Sequence, residues 1–187
     1  MRHKILILIL LTTTFAFGQT KVDTSVLKAQ LSAIYDRDQR PRTTGDSVQF
    51  ISLIDSSNLT QVETIIKKYG WPGKSFVGTM GNMTVFAVIQ HADLKTQEKY
   101  FPLMKKSVEQ KESRACDLAL LEDRILMYQN KKQIYGSQIW INQTTGAQEI
   151  WPIEDEKNLN IRRAKVGLET MEEYAEHFGI EYKLPKQ

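Results

Sequence analysis

One cysteine, Cys116, stands in 187 residues. A lone thiol leaves no internal disulfide and no cysteine-based zinc cluster, so the fold must rest on its apolar core. Cys116 itself, in Ala115-Cys-Asp-Leu-Ala-Leu-Leu, reads as a small buried hydrophobe rather than a nucleophile. Histidine is nearly as scarce: beyond His3 there are only His91 and His177, too far apart for any metal-binding pair on one helix face. No metal site is read from this pattern, and no cofactor is implied. Long runs of one charge sign are also missing. Only pairs occur, Lys67-Lys68, Lys105-Lys106, Lys131-Lys132 and Arg162-Arg163, and these read as solvated faces. A nucleic-acid partner needs a basic stripe that neutralises phosphates, so that class is excluded.

The longest apolar run is Ile5–Leu11. It is too short to span a bilayer, which needs about 20 residues. Arg2, His3 and Lys4 precede it, and Ala16-Phe17-Gly18 offers small residues at a cleavage site. Residues 1–18 therefore read as a signal peptide with a mature start at Gln19, which predicts a periplasmic or secreted protein with no transmembrane segment after cleavage. Removing Arg2 and Lys4 from the 25 basic residues leaves 23 against 22 acidic ones, a nearly neutral mature chain.

Residues 19–187 suit one compact domain. Val26, Leu27, Leu31, Ile34 and Tyr35 recur with a helical period, and Pro41 predicts a break or kink at Arg40. Asp46-Ser47 can cap a short helix over 48–53. Asn58 and Gln61 resemble a capping box that opens a second helix over 59–69. Residues 75–82 read as a Gly-rich loop. Residues 83–90 suit a strand or a buried helix, with helical neighbours favouring the helix. Amphipathic helices follow over 94–108 and 116–128. Alternation over 138–142 and 148–153, around Thr144-Thr-Gly-Ala, predicts a hairpin with Pro152 at an edge. Two short helices, around 159–166 and 171–178, complete the chain. The second opens on a Thr170/Glu173 capping box. The expected fold is mainly α, with one small β-hairpin near residues 138–153.

Gly73-Lys74-Ser75 resembles the end of a phosphate loop, but the required earlier glycine position holds Lys68. The Asn-x-Thr triplets at Asn58, Asn82 and Asn142 match glycan acceptors. Chemistry is more plausible where the apolar run Val85–Ile89 delivers Gln90, His91 and, two residues on, Asp93 to its own end. Histidine is the side chain that exchanges protons near neutral pH, so His91 is a candidate general base. Asp38, Asp93 or Asp123 could orient it. Arg42 could grip a carboxylate or phosphate in two-point fashion, Arg42 or Arg124 could stabilise developing negative charge, and Gln39, Gln90, Arg124, Tyr135 and Gln138 could line a ligand. Gly136 permits close backbone approach beside Tyr135.

Asp38-Gln39-x-x-Arg42, Gln90-His91-Ala92, Asp123-Arg124 and Gln133-x-Tyr135-Gly136-x-Gln138 together resemble a bacterial domain-of-unknown-function family, number 6624. Pro41 interrupts the first box, and Ser137 stands where Thr is expected. The resemblance supports the choice of residues and implies no reaction. Three readings follow. The first is an exported protein binding a small molecule or an envelope component in a polar pocket around His91. The second is a metal-independent hydrolase or transferase, with His91 as base, Asp38 or Asp123 as its partner and arginine as electrostatic support. The third is an internal ion-pair network that only specifies helix packing.

Overall fold

The computed structural model describes residues 23–185; the signal segment read over 1–18 lies outside them. The chain forms a mainly α single domain. α1 spans Ser25–Thr44 and buries Leu27, Leu31, Ile34, Asp38 and Pro41, one face at helical spacing. It does not stop at Arg40. Pro41 removes only one backbone N–H, and its ring is buried beside Phe50 and Ile54, so packing carries the helix to Gly45.

α2 runs unbroken over Val48–Tyr69, opened by the Ser47 hydroxyl accepting from the Phe50 amide at 3.3 Å. The expected second start at Asn58 is absent. Asn58 faces α1, where its Oδ1 accepts from Arg37 Nε at 3.4 Å, so its side chain never folds back to cap its own backbone. α3 spans Lys74–His91 and replaces the expected loop over 75–82. The loop reading survives at one residue: Gly78 (φ +78°, ψ +167°) breaks the helical path in a region essentially restricted to glycine. Beyond it, residues 84–89 are buried on all sides, which explains why neither helical nor strand periodicity stood out.

Asp93 caps α4 (Leu94–Glu109), accepting from the Thr96 amide at 2.8 Å, and α5 follows over Ala115–Tyr128. The five helices enclose one core that includes Leu31, Ile34, Val62, Val85, Ile89, Met104 and Leu121. No helix among the described residues is long and apolar enough to cross a membrane.

A smaller unit packs beyond α5. β1 (Ile139–Ile141) pairs antiparallel with β2 (Gln148–Ile150), with Trp140 opposite Glu149. α6 (Leu159–Lys165) and α7 (Met171–Glu176) follow, α7 opened by the expected Thr170/Glu173 capping box. Ile153, Leu159, Met171 and Ala175 form its core. Gly136 sits against that core at φ +71°, where a Cβ would come within 2.8 Å of the Met171 sulfur. Of the basic pairs, Arg162-Arg163 departs from the solvated reading: Arg163 is 1% exposed. It donates to the Glu169 and Tyr135 carbonyls and stacks over Tyr174, which replaces its water.

Candidate functional site: an Asp–His pair at the end of α3

Asp38 points from α1 into the fold and is fully buried. His91, the last residue of α3, places Nδ1 3.2 Å from both of its carboxylate oxygens. Gln39 Nε2 donates to Asp38 Oδ2 at 2.7 Å, and Arg42 Nη1 stands 3.7 Å from Oδ1. Burial pushes the Asp38 carboxyl up. The His91 hydrogen bond and charge, Arg42 and the Gln39 amide outweigh it and hold the group below the ordinary aspartate range. An ionised carboxylate only accepts, so Nδ1 carries the hydrogen that faces Asp38. Among the described residues Nε2 has no partner. It is not enclosed, and the side chain is 17% exposed.

Arg42 does more than the Asp38 pairing predicted. Its Nη2 donates to both oxygens of Asp55 at 2.7 and 2.8 Å. Asp55 escaped sequence reasoning because α2 was divided there; read as one helix, Asp55 and Asn58 fall on the face toward α1. Asp38, Asp55 and His91 bring potential metal-ligand atoms within 4.8 Å of one another. Arg42 already bridges the two carboxylates and Nδ1 is committed to Asp38, so a metal ion would have to displace a cation that is present.

The end of α3 is held from two sides. Gln97, buried in α4, donates through Nε2 to the carbonyls of Gln90 and Ala92 at 3.0 and 2.8 Å. Arg124 Nη1 donates to the Gln90 carbonyl at 3.0 Å, and its Nε donates to Gln138 Oε1 at 2.9 Å. Burial and the like charge of Arg42 hold the Arg124 guanidinium below its usual pKa, against the nearby Tyr128 and Tyr174. The side-chain amide of Gln90 has no partner among the described residues and is not enclosed.

Asp123 lies apart from His91. Its Oδ1 accepts from the Ile134 and Tyr135 amides at 2.7 and 3.0 Å, and its Oδ2 from the Tyr135 and Ser137 amides at 3.2 and 2.9 Å. Burial nevertheless pushes its pKa up, opposed by these backbone donors. Gln133 and Gln138 close the same loop: the Gln138 amide donates to Gln133 Oε1 at 2.8 Å, and Gln133 Nε2 returns to the Gln138 carbonyl at 3.1 Å. Tyr135 is half-buried, and its carbonyl is taken by Arg163 at 2.7 Å. Asp93 is occupied as the α4 cap, and His177 is exposed, 3.3 Å from Glu169.

The remaining motifs resolve structurally. Ser75 N donates to Glu112 Oε2 at 2.8 Å, so a carboxylate already occupies the start of α3 where a phosphate would sit. Asn58 and Asn82 are buried and closed to glycans in the folded chain. A cavity of about 510 Å³ between α2 and α4 is lined by Thr60, Glu63, Lys99 and Tyr100, and another of about 370 Å³ by Arg37, Arg40, Pro41 and Phe50; His91 lines neither.

Fold and site thus define a helical domain in which a buried aspartate orients a reachable histidine. The chain belongs to the family of unknown function DUF6624, whose model matches residues 18–185. No curated protein and no solved structure matches it.

Proposed function

We propose that this protein is exported and binds a small ligand, free or displayed by the cell envelope, at the edge formed by His91, Gln90 and Arg124. The leader-like residues 1–18 support export. The observation that carries binding is the contrast within single side chains. His91 Nδ1 is anchored on buried Asp38 while Nε2 is not enclosed, and Arg124 is anchored through Nη1 and Nε while Nη2 is neither enclosed nor partnered among the described residues. Side chains fixed at one end and open at the other are pre-organised for a ligand. Calorimetric titration of wild type and His91→Ala with a panel of sugars, amino acids, short peptides and organic acids tests this. A ligand bound by wild type and at least tenfold more weakly by His91→Ala is expected. Binding indifferent to the substitution would remove the reading.

The Asp38–His91 geometry also supports a hydrolase or transferase. A carboxylate on Nδ1 sets Nε2 as general base, and the open Arg124 could stabilise developing negative charge. Turnover of chromogenic esters and phosphoesters that disappears in His91→Ala would favour this reading; no His91-dependent turnover would end it. The architectural reading suits Asp123 and Gln133, whose side-chain polar atoms turn to backbone groups.

A further inference from the structure

Arg124 differs from the other inward-facing arginines. Arg42 is paired with Asp55 and Asp38, and Arg162 with Asp155. Among the described residues Arg163 has no carboxylate, but its unpaired Nη2 is enclosed and cannot meet a ligand. Arg124 donates to two neutral acceptors, the Gln90 carbonyl and the Gln138 side chain. Among the described residues no carboxylate pairs with it, and its Nη2 is not enclosed. A half-buried guanidinium without a counter-ion is costly, and the nearby positive Arg42 adds to that cost. The fork is held rigidly by its two bonds, which favours a planar or tetrahedral oxyanion over water. Its Gln90 anchor is the residue next to His91 and carries an open amide of its own.

We infer that the ligand of this edge is anionic, carrying a carboxylate or phosphate group that pairs with the Arg124 guanidinium beside Gln90 and His91. This rests on the binding reading above and names its ligand class.

The test is a titration of the full chain, followed by backbone amide NMR, with inorganic phosphate and separately with acetate at constant ionic strength. Saturable shifts centred on Gln90, His91 and Gln138 are expected. Arg124→Gln should weaken them roughly tenfold or more, as loss of a charge-assisted hydrogen bond implies, while Arg37→Gln, a side chain turned to Asn58 and Gln61 of α2, should leave them unchanged. A response to phosphate alone, or to acetate alone, identifies the group. Shifts centred elsewhere, no saturation with either anion, or an undiminished response in Arg124→Gln would overturn the inference. Should Arg124→Gln fail to fold, the wild-type shift map decides by the same criterion. A neutral ligand bound in a His91-dependent way, with neither anion bound, would overturn the anion inference and leave the binding reading standing. No ligand of any charge at this edge would remove both.

Discussion

Two polar regions of this protein use similar residues in opposite ways. Around Asp123, the carboxylate, Gln133 and Gln138 are turned inward, and they stitch the loop at 134–138 to α5 through bonds largely to backbone groups. Around Asp38, the carboxylate is just as buried, but its partners His91, Gln39 and Arg42 reach outward from it. The first region spends its hydrogen-bonding capacity on the chain, because a loop cannot be buried with unsatisfied amides. The second keeps capacity in reserve: His91 Nε2, the Gln90 amide and Arg124 Nη2. Residue type therefore does not separate anchor from site; what separates them is where the second polar atom of each side chain goes.

The comparison can be broken most forcefully at Asp123. Asp123→Ala strips the acceptor from three buried or half-buried amides and should cost about 3 kcal/mol in urea unfolding. A loss under 1 kcal/mol would mean the loop has other partners and the anchor is not closed. Gly136→Ala should follow at about 2 kcal/mol, from the positive φ and the approach to Met171. Thermal unfolding would read it, and a neutral result would show that α7 gives way easily.

His91→Ala should cost only about 1 kcal/mol, because Arg42 and Gln39 still partner Asp38. A loss as large as that of Asp123→Ala would erase the distinction and make the Asp38 edge another anchor. Asp55→Asn should cost less, about 0.5 kcal/mol, since it weakens a partly exposed ion pair; a loss above 2 kcal/mol would make Asp55 part of the buried framework.

The smallest expected effect is a difference in pH slope. Asp38 has a folded pKa below its unfolded value of about 3.9, so just below that pH the unfolded chain binds more protons. Its contribution is present above that value and is lost as pH falls through the folded one. Asp123 has the opposite sign: its folded pKa is raised, so stability declines as pH climbs from about 3.9 through the folded value. Unfolding at a series of acid pH values should show Asp38→Asn flattening the loss on acidification and Asp123→Asn flattening the decline above it. Identical slopes in the two variants would contradict the opposed environments.

Most helices were legible because their apolar residues recur at three and four, as in Leu27, Leu31 and Ile34 of α1. The misreadings share one cause: a local signal that packing overrode. Pro41 is a breaker by itself but a core residue once its ring is buried. Asn58 looks like a cap but faces another helix. The glycines of α3 suggest a loop, although only Gly78 departs from the helix. Asp38, Gln39, Arg42, Gln90 and His91 were all visible as residues of interest, and the structure joins them. The sequence also nominated Asp123 beside His91, and the structure carries it to the loop at 134–138 instead.

Composition, periodicity and turn chemistry determined by themselves that this is a mainly α protein with a late hairpin, resting on an apolar core without disulfides. Those properties are local or cumulative, so each stretch of chain carries its own share of them. Which carboxylate meets His91, which arginine finds a counter-ion and which is left without one were decided only by tertiary structure. Asp38 and His91 are 53 positions apart. An electrostatic contact depends on a distance of a few ångströms that no interval along the chain encodes.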